Sequence, residues 1–242
     1  MNIKNIPLNE RIIFALDVDS IEEAEQWVKR MESRIGFYKV GLQLFMAGWY
    51  PVIEMIRDRG HKVMVDLKFF DIPETVRLAV RELKNRGATF ITVHGNEPIL
   101  KAACGEKSES KILAVTLLTS FDESDLRSMG LTCSIEEFVL HRARKALTIG
   151  CDGIISSGLE VKQIRREFGD NFLIVTPGIR PGANVVGQDD DQRRITTAEH
   201  AIVNGADHVV VGRPIRNAED PLALVESMQK AIQDGLNTPG VQ

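Results

Sequence analysis

Eight short apolar runs, each separated from the next by a longer stretch of helical periodicity, constrain this chain more than any other feature. They are RIIFALDV (11–18), FYKVG (37–41), KVMVDLK (62–68), TFITVHG (89–95), KILAVT (111–116), DGIIS (152–156), NFLIVTPG (171–178) and DHVVVG (207–212). Runs this short and this rich in Val and Ile read as strands buried on both faces, the state of a parallel sheet covered by helices. Between them, SIEEAEQWVKRM (20–31) opens on Ser20 with Glu23 at capping-box spacing. LFMAGWYPVIEMIRDRG, PETVRLAVRELKNRG, SIEEFVLHRARKALTIG, VKQIRREFG and TAEHAIVNG are further helix segments, several ending in glycine as a C-terminal cap does. Gly60, Gly87, Gly150 and Gly205 each stand just ahead of a strand.

Eight strands alternating with helices in 242 residues predict a single α/β domain, a (β/α)8 barrel spanning residues 1–242. Its core should cover about 11–234, with GLNTPGVQ as a short frayed C-terminal tail. A doubly wound open sheet is the alternative, but it leads one to expect a glycine-rich fingerprint after the first strand, and LDVDSIEEA has none. No Pro/Gly-rich linker or low-complexity segment divides the chain.

In such a barrel the functional residues stand at the C-terminal ends of strands and in the loops that follow. Those ends read, in order, Asp17, Lys39, Asp66, Lys68, Asp71, His94 and Thr119, then the loops PGIRPG and VGR. Within MVDLKFFDIPETV (64–76), Asp66 and Lys68 are two apart and so share one strand face, while Asp71 follows where the strand should end. Enclosed, each of these charges costs several kcal/mol to desolvate and needs a partner or a task. A structural salt-bridge network at the barrel mouth would be the plainer account. Asp17 and Lys39 at two other strand ends favour a functional cluster, because crowded charges shift each other's pKa values. His94, alone at its strand end, reads as a structural histidine.

A second constellation follows the seventh and eighth strands: TPGIRPG (176–182) and VVVGRPI (209–215). Loops at these two positions frequently build a phosphate site. Gly178 and Gly212 let backbone N–H groups approach an anion, and Arg180 and Arg213 offer the fork geometry that phosphate accepts.

The net charge of −4 argues against nucleic acid or an anionic membrane as the main partner. The pair Arg193-Arg194 reads as solvated charge. Three widely spaced cysteines (Cys104, Cys133, Cys151) without a CxxC suggest reduced thiols rather than a disulfide framework or zinc site. No HExxH or other metal-ligand spacing occurs among the five histidines. The opening MNIKNIPLNERIIFALDV lacks a signal-peptide pattern, and no apolar run approaches the ~20 residues needed to span a bilayer. A cytoplasmic protein is the expectation.

Taken together, ALDV (15–18), FYKVGLQLF (37–45), DLKFFDIPETV (66–76), VTLLTS (115–120), VTPGIRP (175–181) and VVVGRPI (209–215) resemble the bacterial orotidine 5′-phosphate decarboxylase family over nearly the whole chain. The resemblance implies a (β/α)8 TIM barrel that converts orotidine 5′-phosphate (OMP) to UMP and CO2 without metal or other cofactor, as a homodimer with sites near the interface. It implies that Lys39, Asp66 and Lys68 form one subunit's catalytic array, which Asp71, with Ile72 and Thr75, completes from the neighbour. Asp17 and Lys39 would hold the ribose, Thr119 the pyrimidine, and Arg180, Gln192, Gly212 and Arg213 the phosphate end, with Pro177 a further substrate-binding residue. Gln188 and Gln192 both lie in GANVVGQDDDQRR; Gln192 is favoured because it directly precedes the basic pair. Family members often carry His where this chain has Phe70, which implies no essential chemistry there. Sugar-phosphate enzymes with a similar Asp-x-Lys-x-x-Asp strand end, which use Mg²⁺ on an enediolate, are the rival reading, and a non-catalytic phosphate-metabolite binder is a second.

Overall fold

The computed structural model describes residues 5–182 and 193–238. Its strands are β1 (Ile12–Ala15), β2 (Phe37–Gly41), β3 (Lys62–Phe69), β4 (Phe90–Val93), β5 (Lys111–Val115), β6 (Gly153–Ile155), β7 (Leu173–Thr176) and β8 (His208–Val211). They pair in parallel and in chain order, and β8 closes on β1 through Ile12–Val209 and Phe14–Val211. Every strand lies inside one of the eight apolar runs, except that β3 extends one residue further, to Phe69. The helices are α1 (Leu8–Arg11), α2 (Ile21–Met31), α3 (Leu42–Asp58), α4 (Pro73–Asn85), α5 (Glu97–Glu106), α6 (Glu123–Ser128), α7 (Ile135–Ile149), α8 (Val161–Phe168), α9 (Ala198–Val203), α10 (Arg213–Arg216) and α11 (Pro221–Asn237).

The local signals act as their chemistry dictates. The Ser20 hydroxyl accepts from Glu23 N–H at the start of α2. Ser134 and Glu137 close a reciprocal capping box on α7, and Gly150 ends that helix at φ +99°. α3 breaks where the sequence predicts one continuous helix. Pro51 has no N–H to donate and crowds the preceding turn, and Trp49 takes up the bend at φ +48° and ψ −142°. The tail also begins later than expected. α11 runs to Asn237, and its buried Gly235 lies so close to α9 that a Cβ there would stand 2.7 Å from Val203.

Period-two alternation along the strands sorts their side chains. Ile13, Phe37, Met64, Phe90, Leu113, Ile155, Val175 and Val210 fill the barrel interior, while Phe14, Tyr38, Val65 and Ile91 pack outward under the helices. The rings of Phe37, Phe90 and His208 meet at 4.8–5.6 Å and plug the N-terminal end of the barrel. Cys104 and Cys151 are free thiols whose sulfurs stand 3.5 Å apart. No helix among the described residues is long and apolar enough to cross a membrane.

His208 gives the barrel an acid weakness. Its Nδ1 lies 2.8 Å from the Glu10 carbonyl, and burial holds its pKa down at about 4, against an ordinary 6.5. Between these values the unfolded chain binds the proton that the native imidazole refuses. Stability present above pH 6.5 is therefore lost as the pH falls toward 4, by about 3 kcal/mol in all. Neighbouring Asp207 works in the opposite sense, because burial outweighs its Arg165 partner and raises its pKa to about 6. Denaturant titrations of the parent and His208→Gln isolate the histidine: the variant should lose less stability across that window. Identical acid slopes would show that His208 titrates as it does in the unfolded chain.

Candidate functional site

The inward alternation that fills the barrel changes character at its C-terminal end. On β2 it passes from Phe37 to Lys39, and on β3 from Met64 to Asp66 and Lys68. The register places Lys39 beside Met64 and Gly41 beside Asp66, so lysine and carboxylate interdigitate above the apolar plug. Lys39 Nζ lies 2.9 Å from Asp17 Oδ1 and 3.7 Å from Asp66 Oδ2, and Asp66 Oδ2 lies 2.9 Å from Lys68 Nζ. The four side chains form one row of alternating sign, Asp17–Lys39–Asp66–Lys68. Burial by itself lowers the pKa of Lys39, but Asp66 and Asp17 overcome it and hold it above the ordinary lysine value. Burial likewise pushes Asp66 upward, and the two ammonium groups with the Thr92 hydroxyl outweigh it, so Asp66 stays ionised.

Lys68 reaches this row through a departure from regular strand geometry. Its φ is +47°, uncommon for a side-chain-bearing residue, and the β3–β4 register shifts between Val65 and Phe69. The Lys68 N–H donates to Thr92 Oγ1 at 3.0 Å, and that hydroxyl donates to Asp66 Oδ1 at 3.0 Å. Thr92 thus ties the strained backbone to the carboxylate. Strain of this kind costs on the order of 1–3 kcal/mol and persists where the surroundings enforce it.

The row borders a cavity of about 410 Å³ at the barrel mouth, a size common to small-ligand sites. Ten expected residues line it: Asp17, Lys39, Asp66, Lys68, Thr119, Pro177, Gly178, Arg180, Gly212 and Arg213. The lysines come from β2 and β3, while the arginines come from the loops after β7 and β8, across the closed ring. Gly178 takes φ +77°, where a side chain would be strained, and its carbonyl accepts from Thr196 N–H at 3.1 Å. Gly212 faces Asp17, with a Cβ position 3.5 Å from Oδ2.

Asp71 does not join the row in its own chain. It is exposed, accepts from the Ile72 N–H, and lines a separate shallow hollow of about 570 Å³ with Phe70, Ile72, Pro73, Asn96, Pro98 and Ile99. Thr75 is exposed in the first turn of α4. Gln192, like Gln188, lies outside the described residues. His94 packs edge-on against Phe70 at 5.6 Å, and burial, Arg142 and Lys68 all lower its pKa.

Three features escaped the sequence. Thr92, whose hydroxyl bonds Asp66, could have been found, since it stands two residues beyond inward-facing Phe90. Gly41 is the second: a Cβ there would stand 2.8 Å from Lys39 Nζ and 3.0 Å from Asp17 Oδ1, room which the ion pair occupies. The third is Arg194, expected to be solvated. Arg193 is exposed and paired with Asp122, but Arg194 is buried, bonding Glu160 at 2.8 Å and the Leu118 carbonyl at 2.9 Å. It joins the loops after β5, β6 and β7, an arrangement that no sequence spacing reveals. Among the described residues, no group of three or more His, Cys, Asp or Glu is placed to hold a metal ion.

Comparison with known proteins agrees with this fold. The chain is 49% identical over 232 residues to the orotidine 5′-phosphate decarboxylase of Methylococcus capsulatus, covering 96% of this chain and 95% of that one. It is 44% identical to the enzyme of the same name from Rhodopseudomonas palustris, over 92% of this chain and 94% of that one. A crystal structure of orotidine 5′-phosphate decarboxylase from Lactobacillus acidophilus superposes with a TM-score of 0.80 at 36% identity, covering 92% of this chain and 99% of that one. The family model described as "Orotidine 5'-phosphate decarboxylase / HUMPS family" matches residues 10–228, nearly the whole barrel. On sequence and fold alike, the chain belongs to the orotidine 5′-phosphate decarboxylase / HUMPS family.

Proposed function

We propose that the chain decarboxylates OMP to UMP and CO2 in pyrimidine biosynthesis, without a cofactor. The observation that carries this reading is the pairing, in one cavity, of the Asp17–Lys39–Asp66–Lys68 row with arginines on the opposite side. The row suits a pyrimidine C6 whose charge changes during reaction, and the arginines suit a phosphate. Relatives at 41–49% identity that carry the decarboxylase name support the same activity.

In this reading the C6–carboxylate bond breaks, CO2 leaves, and the electron pair remains on C6. The Lys68 ammonium stabilises that carbanion and delivers a proton to C6; solvent then reprotonates the amine. Asp66, in contact with both ammoniums, fixes their positions before the charge develops, so no reorganisation is needed at the transition state. Asp17 with Lys39 holds the ribose hydroxyls and Thr119 the pyrimidine. Binding energy from the phosphate, remote from the reacting carbon, orders the site. Asp71, Ile72 and Thr75 act in the neighbouring subunit of a homodimer. Exposed Phe70 and Ile72 on either side of Asp71 support that arrangement, because large apolar side chains left in water mark contact surfaces. A cytoplasmic location accords with the free thiols.

To separate this reading from the rival sugar-phosphate one, the direct test offers EDTA-treated protein both OMP and a phosphorylated hexulose. Loss of OMP absorbance without added metal supports the decarboxylase. Consumption of the hexulose phosphate alone, restored by Mg²⁺, overturns it.

The phosphate assignment makes its own prediction. Arg213→Ala should weaken capture of OMP by about 2–3 kcal/mol, the loss of one charge-assisted contact. The phosphate-free nucleoside orotidine should be nearly indifferent. Equal losses in kcat/KM for both would show that Arg213 does not read the phosphate.

A further inference from the structure

We propose that Cys104 and Cys151 are a redox-active pair which hydrogen peroxide closes into an intramolecular disulfide, tying α5 to the turn between α7 and β6. Both lie at the N-terminal face of the barrel, Cys104 in the last turn of α5 and Cys151 two residues ahead of β6. Neither lines the cavity at the mouth, so the pair stands apart from the nucleotide site.

The fold brings the two thiols together and holds them there. They are 47 residues apart in the chain, and their sulfurs stand 3.5 Å apart. Polar bonds fix the main chain beside each. The Cys151 N–H donates to the Ala146 carbonyl at 3.0 Å, just past the Gly150 cap of α7. Lys107, three residues beyond Cys104, donates to the Gly150 carbonyl at 2.6 Å and pairs with Asp152 at 3.3 Å. Asp152 in turn accepts from the Ile112 N–H at 2.9 Å. Held this way, the sulfurs need to close only from 3.5 Å to the ~2.05 Å of a disulfide bond.

The two thiols have different parts. Cys104 is half-buried and Cys151 is buried, so an oxidant meets Cys104 first. The hydrogen bond with Cys151, helped by Lys107, holds the Cys104 pKa below the ordinary thiol value against burial and Asp152. The same hydrogen bond and burial push Cys151 up. Cys104 is thus the thiolate that attacks. Its sulfur takes one peroxide oxygen, the O–O bond breaks, and the leaving hydroxide takes up the proton that the thiol released. The Cys151 sulfur then attacks the Cys104 sulfenic acid; the S–O bond breaks, and the hydroxyl leaves as water with the Cys151 proton. The two thiols lose two protons and two electrons, and the peroxide is reduced to two waters.

The test exposes the folded, fully reduced protein to hydrogen peroxide, blocks the remaining thiols with N-ethylmaleimide and maps the peptides by mass spectrometry. The expected result is one cross-link, Cys104 to Cys151, with Cys133 alkylated as the internal control and dithiothreitol restoring all three thiols. A link between residues 47 apart removes closure entropy from the unfolded chain, so the oxidised protein should melt several degrees above the reduced one. Cys133→Ser should keep both the link and the gain. Cys151→Ser should lose both and leave Cys104 as a sulfenic acid that dimedone traps. Three alkylated thiols after oxidation, linkage through Cys133 or between chains, or an oxidised protein that melts no higher than the reduced one would overturn the proposal. The parent's peptide map decides the matter even where Cys151→Ser fails to fold.

Discussion

Lys68→Ala should abolish decarboxylation while the barrel stays folded and UMP still binds. The expected fall in kcat is at least about 10³-fold, because one ammonium is assigned both to stabilising the carbanion and to protonating it. The fold should survive, since Asp66 keeps Lys39 at 3.7 Å and the Thr92 hydroxyl at 3.0 Å when Lys68 is removed. UMP affinity should change little, because the assigned charge develops only in the transition state. Steady-state turnover within tenfold of the parent would remove Lys68 from that role.

The second large effect is a recovery of activity. Asp71→Ala and Lys68→Ala should each be inactive alone and should complement when subunits exchange. In its own chain Asp71 lies outside the cavity, while Lys68 lies inside it. If Asp71 completes the partner's site, a mixed dimer has one site with both lesions and one with neither. Random exchange places about half the dimers in that mixed form, so roughly a quarter of parental activity should return. Mass spectrometry confirms the exchange before the assay. Confirmed mixed dimers as inactive as the separate variants would show that each site is built within one chain.

The strands were legible because they are buried on both faces, which leaves Val and Ile almost no polar competition in runs such as FITV and HVVV. That apolar background also made the row visible, since Asp66 and Lys68 follow inward-facing Met64 on β3. What stayed hidden depends on distances between segments remote in sequence. Thr92 shares the inward face of β4 with Phe90, but that its hydroxyl bonds Asp66 is settled only by the folded β3–β4 pair. Arg194 and Arg216 look like surface charges, and only the closing of the barrel encloses them. The bend at Trp49 had a local cause in Pro51, which the amphipathic pattern of α3 outweighed. α1, α5, α6, α10 and α11 are absent from the helix segments read from the sequence; three of them are only four to six residues long.

The most direct test of the account follows EDTA-treated protein and OMP by NMR in D2O. The account predicts conversion to UMP bearing deuterium at C6, one CO2 released per UMP, at a rate that EDTA and added Mg²⁺ leave unchanged, and no conversion by Lys68→Ala. Conversion that stops in EDTA and returns with Mg²⁺, or no conversion of OMP by the parent protein, would contradict it.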